Sequence, residues 1–279
     1  MQQCTIQANL LRKQPEVTFT NMSPGKRYLF PAIGGGIAVA IIIGLFAYYS
    51  LSPASSVQQG KPNNVNQTQA SVGVQAFAPD SKPYGKSLSD WSVAWWIWAQ
   101  NRPVPVNGSV SENPVADTTG EKCHADQTDP NVFFLAGTLG GKAERNCEIP
   151  ANKALFFPLI NSECSWAENP TYTKEQQLRE CAIAGAKGAV LEAIVDGVPI
   201  PNLQQYWVES PLYNVTLPAP NFWGVNAGNT QQVSTGYWLM LQPLPSGKHD
   251  IRFAGVQTAT PGSGPTIFAN DAIYHLTIK

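Results

Sequence analysis

The strongest constraint in this sequence is an apolar run near its N-terminus. Residues 28–49 read YLFPAIGGGIAVAIIIGLFAYY and contain no charged side chain. A helix rises about 1.5 Å per residue, so this run can cross the ~30 Å hydrocarbon core of a bilayer. A cleaved signal peptide usually has a shorter run and an A-x-A-like site, which SPASS at 52–56 matches only loosely. We therefore predict a single transmembrane helix at 28–50.

The charges beside this helix predict its orientation. Arg12, Lys13, Lys26 and Arg27 all precede the apolar run. Basic residues favour the cytoplasmic side of a membrane, so the N-terminus is predicted to be cytoplasmic and the rest of the chain extracellular. The formal net charge is only −1, and the extracellular part has no basic run. The predicted partners are therefore the membrane and an extracellular molecule, and nucleic acid is not among them.

A polar linker is predicted between the membrane and the folded part. Residues 51–76 are rich in Ser, Gln, Asn, Pro and Gly, with Lys61 their one charged residue. Such a segment cannot bury enough apolar surface to offset its ordering entropy. The predicted organisation is therefore a tail at 1–27, a transmembrane helix at 28–50, a linker at 51–76 and one extracellular domain at 77–279.

The cysteines and glycosylation sequons agree with an extracellular domain. Cys123, Cys147, Cys164 and Cys181 form an even number on the oxidising side of the membrane, which predicts two disulfides. Three pairings are possible, and we favour the neighbouring ones, Cys123–Cys147 and Cys164–Cys181. A zinc site that also uses His124 is the alternative, although no C-x₂-C pair is present. Asn-x-Ser/Thr sequons outside the membrane lie at Asn66, Asn107 and Asn214.

Two helices are predicted in the extracellular domain. Ser87-Leu-Ser-Asp90 resembles a capping box, and Trp91, Trp95 and Trp98 then recur at i, i+4 and i+7. Pro103 ends this helix. Thr173-Lys-Glu-Gln176 predicts a second helix that ends near Gly188.

Most other apolar segments are short and rich in β-branched or aromatic residues, which predicts strands. An Asp-Gly turn at 196–197 predicts two further strands on either side of it. The other predicted strands cover 132–136, 154–160, 206–208, 212–217, 237–241, 249–253 and 272–278. Because few long crossovers separate them, we predict a mainly β fold, an antiparallel, jelly-roll-like β-sandwich with one or two packed helices.

Several short motifs are spaced along the extracellular part of the chain. They are YGK at 84–86, WSVAWW at 91–96, DTTGEKC at 117–123, FLAG at 134–137, CEIP at 147–150, ALFFP at 154–158 and PSGKH at 245–249. This combination resembles an uncharacterised group of secreted or membrane-anchored microbial proteins. The resemblance implies secretion and one integral domain, and it implies no activity.

Aromatic residues are the first candidates for a binding site, because Trp, Tyr and Phe stack on sugar rings. Four tryptophans on the predicted helix and strands are expected in the core: Trp91, Trp95, Trp98 and Trp238. Trp166 and Trp223 lie in loops among polar residues and are predicted to bind the ligand.

Carboxylates are the candidates for catalysis, because glycoside hydrolysis needs two acids about 5–10 Å apart. Glu163 follows an apolar strand and lies beside a cysteine and near Trp166, which makes it the most site-like acid. Asp117, Glu209 and Asp271 are its candidate partners.

The sequence predicts no cofactor. Asp126 and Asp129 are weak calcium candidates, since they lack the spacing of an EF-hand loop.

We predict a membrane-anchored extracellular module that binds a glycan or another surface partner through exposed aromatics. The motifs of serine hydrolases, zinc proteases and phosphate-binding loops do not occur. One alternative is an extracellular hydrolase or lyase that acts on polysaccharide through paired carboxylates, and the sequence does not decide whether the chain is an enzyme. A structural role in the cell envelope is a further alternative.

Overall fold

The computed structural model describes residues 74–104 and 112–279. The predicted tail and transmembrane helix, and nearly all of the predicted linker, lie outside the described residues. Within the described part, no helix is long and apolar enough to span a bilayer. The last two linker positions, Gln75 and Ala76, pair with the strand that ends at Leu241.

The described residues form two helices and ten strands. The helices are α1 (Leu88–Gln100) and α2 (Glu175–Ala186). The strands are β1 (Val132–Phe134), β2 (Gly141–Ile149), β3 (Ala154–Ser165), β4 (Val190–Val195), β5 (Val198–Pro199), β6 (Trp207–Glu209), β7 (Tyr213–Leu217), β8 (Gly228–Leu241), β9 (Gly247–Thr260) and β10 (Ser263–Ile278).

The strands form two five-stranded sheets. Sheet A has the order β1-β3-β8-β6, with β7 also paired to β8, and sheet B has the order β2-β10-β9-β4-β5. Each sheet contains one parallel pair, β1 with β3 and β2 with β10. The prediction of a mainly β, two-sheet fold with two helices is confirmed. The prediction of an entirely antiparallel sandwich is wrong, because each of these pairs is joined by a crossover rather than a hairpin.

The two sheets pack face to face around an aromatic core. Phe157 of sheet A stacks on Phe253 of sheet B with their ring centroids 4.4 Å apart. At Gly255 the backbones come closer still, since a Cβ there would lie 2.5 Å from the Cβ of Ile160. Glycine at this position therefore lets strands β9 and β3 approach directly.

Helix α1 covers the face of sheet A that is turned away from sheet B. Its capping box is formed as predicted, with Ser87 N donating to Asp90 at 2.9 Å and Asp90 N donating to Ser87 Oγ at 3.1 Å. Trp95 packs edge-on against Trp238 of β8 at 5.2 Å. The four tryptophans that the sequence assigned to the core, at 91, 95, 98 and 238, are all buried.

Helix α2 packs on the opposite face of sheet A. Its Cys181 is joined to Cys164 of β3, and Cys123 is joined to Cys147, so both predicted disulfides are confirmed. A Cβ at Gly185 would lie 2.2 Å from Ser162 Oγ, so glycine allows the helix to lie close to the sheet. The two helices therefore lie on opposite faces of sheet A, and α2 shares its face with sheet B.

Candidate functional site

A β-bulge determines which way Glu163 points. Strand β3 pairs with β8 in regular register up to Pro158, and the register shifts before Ile160. The extra residue reverses the alternation of side chains beyond it. Glu163 consequently shares a face with its partner Ser234 on β8, and this face lies under α1 and not toward sheet B.

Glu163 is buried and forms a carboxyl pair with Glu168. Glu163 is only 3% exposed, and its carboxyl group lies close enough to that of the half-buried Glu168 for each to shift the pKa of the other. Ser165 Oγ donates to Glu168 Oε2 at 2.7 Å, and the backbone N–H of Ser165 donates to the same oxygen at 3.2 Å. The carboxylate of Glu168 is therefore held in place by two donors of Ser165, and its charge acts on the acid group of Glu163.

The pair holds a proton on Glu163. Burial raises the pKa of Glu163 well above its usual range, and the negative charge of Glu168 raises it further. Burial also raises the pKa of Glu168, while hydrogen bonds from Glu163 and Ser165 oppose that rise. Two carboxyl groups in contact cannot both ionise easily, so they titrate as a unit with the proton on the more buried partner.

One aromatic ring, that of Trp223, adjoins this carboxyl pair, and two further rings pack against it. The side chain of Trp223 lies beside Glu163, and its polar N–H lowers the pKa of that carboxyl against the dominant effect of burial. Trp96 of α1 lies 6.4 Å from Trp223 between ring centroids, and Phe222 packs edge-on against Trp223 at 5.4 Å. Both tryptophans are half-buried. We call Glu163, Glu168, Trp96, Phe222 and Trp223 the acid–aromatic cluster.

Asn221 fixes the loop that carries Trp223. Its amide N–H₂ donates to the carbonyls of Pro218 at 2.9 Å and Val225 at 2.8 Å. Its amide oxygen accepts from the backbone N–H groups of Trp223 and Val225 at 3.3 and 3.2 Å. Asn221 is buried, so the position of the Trp223 ring is set from beneath the loop.

A layer of buried polar side chains lies on the same face of the sheet. Gln232 of β8 exchanges amide hydrogen bonds with Gln100 of α1 at 2.9 and 3.3 Å, and its Nε2 donates to the hydroxyl of Tyr213 at 2.6 Å. Burial raises the pKa of Tyr213, against the effect of its hydrogen bond with Gln232. The hydroxyl therefore stays neutral and can act as a donor.

A shallow groove of about 240 Å³ runs beside α1. It includes Ile97, the exposed neighbour of Trp96. Its polar lining is mostly amide and hydroxyl side chains, which both donate and accept hydrogen bonds. The lining residues are Ile97, Asn101, Asn214, Val215, Thr216 and Asn229.

The two tryptophans predicted to bind ligand lie on different sides of sheet A. Trp223 belongs to the acid–aromatic cluster under α1. Trp166 is half-buried and packs against the apolar cluster beneath α2, which includes Leu178 and Val233. The structure therefore brings Glu163 together with Trp223 and does not bring Trp166 into the same site.

Asp117, predicted as a partner for Glu163, instead organises a turn. Its carboxylate accepts hydrogen bonds from the N–H groups of Thr119, Gly120 and Lys122 at 2.8, 3.0 and 2.9 Å. Burial by itself would raise the pKa of Asp117, but these bonds and the charge of Arg145 outweigh burial and lower it. Asp117 is thus an ionised structural carboxylate.

The other two candidate acids are engaged elsewhere. Glu209 accepts from the indole N–H of Trp207 at 2.8 Å at the end of β6. Asp271 accepts from Arg252 at 3.0 and 3.3 Å on sheet B. Neither acid takes part in the carboxyl pair. Among the described acids, Glu168 is the one whose charge raises the pKa of Glu163.

The weak calcium candidates have protein partners of their own. Asp126 forms a two-point ion pair with Arg102 at 2.6 and 3.0 Å. Asp129 accepts from the N–H groups of Asn131 and Val132 at 2.9 and 3.0 Å. Calcium binding at these residues stays a prediction. Of the predicted glycosylation sites, Asn214 is exposed on β7, and Asn66 and Asn107 lie outside the described residues.

Sequence reasoning did not identify Glu168 as a member of the site. A local signal was present, since Ser165-Trp-Ala-Glu168 has the S-x-x-E spacing of a reciprocal turn, and Glu168 N donates to Ser165 Oγ at 3.3 Å. Trp96 was also missed, because its position on a helix of buried tryptophans gave no sign that its ring adjoins Trp223.

Comparison with known proteins gives little further information. No protein-family model matches the chain, and no curated protein matches it. Two solved structures were found, PbICP-C in complex with falcipain-2 and the cysteine protease inhibitor EhICP2 from Entamoeba histolytica. Both are 12% identical to this chain and cover 50% of it, with 91% and 88% of their own lengths and TM-scores of 0.21 and 0.19. At such TM-scores the similarity establishes neither a shared fold nor a shared function.

Proposed function

We propose that this protein is a membrane-anchored extracellular module that binds a glycan at the acid–aromatic cluster. The observation that carries the proposal is the half-buried indole of Trp223, which lies beside a buried carboxyl pair and acts on the pKa of Glu163. An indole face held in one orientation is a stacking surface for the apolar face of a sugar ring. Glu168, the half-buried member of the pair, is an acceptor for a sugar hydroxyl.

The rigidity of this arrangement supports a binding role. The loop of Trp223 is fixed by Asn221, and Glu168 is fixed by Ser165. Side chains that are already ordered lose little conformational entropy when a ligand binds. The amide-lined groove that begins at Ile97 supplies further hydrogen-bonding groups of the kind that sugar hydroxyls use.

Catalysis by the paired carboxylates is the alternative, and the retained proton of Glu163 favours it, because a buried acid with a raised pKa is a potential proton donor. The contact between the two carboxyl groups argues against glycoside hydrolysis by this pair. Glycosidases hold their two acids about 5–9.5 Å apart, so that the sugar and, in inverting enzymes, a water molecule fit between them. We therefore place binding before catalysis.

The test is glycan-array binding by the full chain purified in detergent, followed by calorimetry with the best sugar. Trp223→Ala should weaken binding at least about tenfold, because we expect a stacked sugar ring to gain an amount comparable to the about 1–3 kcal/mol of a nucleic-acid base stacked on an aromatic side chain. Trp207→Ala is the matched control, because Trp207 is half-buried at β6 and packs under Lys187. Equal affinity in the wild type and Trp223→Ala would refute the proposed site.

Glu163→Gln separates the binding module from the enzyme. The amide keeps a donor to Glu168 but cannot give up a proton in catalysis. Binding that persists in this variant, with no sugar product released by the wild type, supports the module. Product release by the wild type that Glu163→Gln abolishes would support the enzyme instead. Trp166→Ala tests whether the α2 side of the sheet carries a second sugar site.

A further inference from the structure

We propose that reduction of the Cys123–Cys147 disulfide creates a site for a thiophilic metal ion such as Zn²⁺, with Cys123, Cys147 and His124 as ligands. The sulfur atoms of the two cysteines and a ring nitrogen of His124 all lie within 4.8 Å of one another. Two thiolates and an imidazole are the ligands that zinc and related ions prefer. This inference is independent of the glycan-binding proposal.

The separation of the backbones suits a metal site as well as a disulfide. The Cα atoms of Cys123 and Cys147 are 6.1 Å apart. Rotation of the two short side chains can bring both sulfurs to about 2.3 Å from one ion, and a histidine nitrogen then binds at about 2.0–2.1 Å. His124 is exposed, so the third ligand lies on the side from which an ion can enter. A water molecule completes a tetrahedral set.

Neither cysteine depends on the disulfide for its position. Cys147 lies in β2, which is paired with β10 along its whole length. The turn of Cys123 is attached to β2 by the hydrogen bond from Asn146 N to Thr119 O at 2.9 Å. On its other side, Gln127 Nε2 donates to the carbonyl of Cys123 at 3.0 Å. The two thiols should therefore still face each other after reduction.

Helix α1 holds the same turn from a second direction. The indole N–H of Trp98 donates to Ala125 O at 2.7 Å, and Arg102 forms its two-point ion pair with Asp126. His124 lies between these anchored residues and Cys123. Its ring also meets the edge of Phe133 at 5.7 Å, which limits its orientation. Because the fold already orders this turn, its three ligands should lose little conformational entropy when an ion binds.

The second disulfide provides an internal comparison. Cys164 is fully buried beneath α2, where it packs against Leu178, Ala182 and Val233. Among the described residues, no histidine or carboxylate completes a three-ligand group with Cys164 and Cys181. Reduction should therefore create a histidine-containing metal site at only one of the two cystines.

Reduction converts the Cys123–Cys147 disulfide into two thiols. A phosphine reductant attacks one sulfur, the S–S bond breaks, and water supplies the oxygen of the phosphine oxide together with two protons for the thiols. A dithiol would reduce the bond by exchange and become a disulfide itself. Binding of Zn²⁺ then displaces the two thiol protons to the buffer, and the two thiolates neutralise the charge of the ion.

The experiment is a zinc competition titration of the full chain against a chromophoric chelator, with and without a phosphine reductant. The reduced wild type should bind one zinc ion at this site, and the oxidised protein should not. His124→Ala should weaken zinc binding at least about tenfold, because even outer-shell partners of metal ligands are worth about 10–100-fold. His124 is exposed, so this variant is expected to fold.

His275→Ala is the matched control, since it removes another histidine from the same domain, one whose side chain is 43% exposed. His124→Ala leaves all four described thiols in place, so its loss of affinity cannot come from Cys164 and Cys181. Cobalt substitution gives a second measurement, in which the reduced wild type should show tetrahedral and thiolate charge-transfer bands that weaken in His124→Ala. Equal zinc affinity and equal cobalt spectra for the reduced wild type and His124→Ala would overturn the proposal.

Discussion

Arg145 and Glu163 are both buried, but the fold treats their charges in opposite ways. Arg145 is 1% exposed, and its guanidinium donates at 2.7–3.3 Å to five oxygens. These acceptors are the carbonyls of Val115, Asp117, Ala136 and Gly137 and the hydroxyl of Tyr274. Glu163 is 3% exposed, and burial together with the neighbouring charge of Glu168 raises its pKa so that it retains its proton.

The difference follows from the chemistry of the two groups. A guanidinium cannot give up its proton in a protein, so a buried arginine must be matched by acceptors. A carboxyl group can neutralise itself by taking up a proton, so the fold need not supply a full set of donors. The hydrogen bonds of Arg145 therefore connect β2 rigidly to the two loops that contain residues 115–117 and 136–137. The Glu163 centre can change its charge with pH, and a buried group with a raised pKa is typical of functional sites.

Replacing Arg145 should cause the largest loss of stability. Arg145→Met fills a similar volume but removes a donor from five buried oxygens, of which Ala136 O and the Tyr274 hydroxyl keep a hydrogen bond to each other's residue. We expect this change to cost at least about 3 kcal/mol. Thermal unfolding of the full chain, followed by tryptophan fluorescence, measures the effect. Arg252→Met is the control, because Arg252 is half-exposed on sheet B and exposed ion pairs contribute only about 0–1 kcal/mol. Equal losses of stability in the two variants would show that the buried hydrogen bonds of Arg145 contribute no more than the exposed ion pairs of Arg252.

Asp117→Asn should produce the next largest effect and show the pH dependence of the Arg145 centre. The folded-state pKa of Asp117 is lowered, so its contribution is present above the unfolded pKa near 4 and is lost as pH falls through the folded value. At pH 7 we expect Asp117→Asn to cost about 2 kcal/mol. Melting temperatures from pH 7 to pH 3 should converge for the wild type and the variant. Parallel curves would show that ionised Asp117 does not stabilise this region.

Glu163→Gln should have the opposite sign. The folded-state pKa of Glu163 is raised, so its contribution is present below about pH 4 and is lost as pH rises toward the folded value. Each bound proton changes stability by about 1.4 kcal/mol per pH unit within that window. Glutamine keeps the donor to Glu168 without titrating, so the variant should be more stable than the wild type at pH 7 by about 1 kcal/mol or more.

The comparison of melting temperatures at two pH values tests this expectation. The advantage of Glu163→Gln should shrink as pH falls from 7 to 4. The deficit of Asp117→Asn should begin to shrink only below about pH 4. A Glu163→Gln variant that is less stable than the wild type at pH 7 would show that Glu163 is ionised in the folded protein.

Much of the architecture follows from local sequence patterns. The capping box at Ser87, the tryptophan periodicity of α1 and the Asp-Gly turn between β4 and β5 each depend on neighbours in sequence, and all were predicted. Strand β2 was missed because its exposed positions carry polar or charged side chains and its inward positions include Arg145. An arginine in the core of a strand contradicts the hydrophobic alternation on which strand prediction relies.

The candidate site depended on features that local patterns do not contain. The β-bulge between Pro158 and Ile160 reverses the direction in which the Glu163 side chain points. The local sequence contains no residue pattern that predicts this bulge. A regular strand would have turned Glu163 toward sheet B and away from Trp223. The contact of Trp223 with Trp96 likewise joins a loop to a helix more than a hundred residues away, so it arises from tertiary packing alone.

The smallest effect is expected at His275, an ionisable site on the solvent side of sheet B. Its two ring nitrogens lie 2.7 Å from Asp250 Oδ1 and 3.1 Å from Glu144 Oε1. The hydrogen bond to Glu144, followed by that to Asp250, raises the pKa of His275. The stabilisation is present below the unfolded pKa near 6.5 and is lost as pH rises through the folded value.

His275→Gln should therefore lower stability by only about 0.5 kcal/mol at pH 6, because the imidazole is 43% exposed and solvent screens its ion pairs. At pH 9 the variant and the wild type should melt at the same temperature. A difference at pH 6 as large as that of Asp117→Asn would contradict the contrast between buried and exposed charges. A difference that persists unchanged at pH 9 would show that His275 stabilises sheet B by packing and not by its charge.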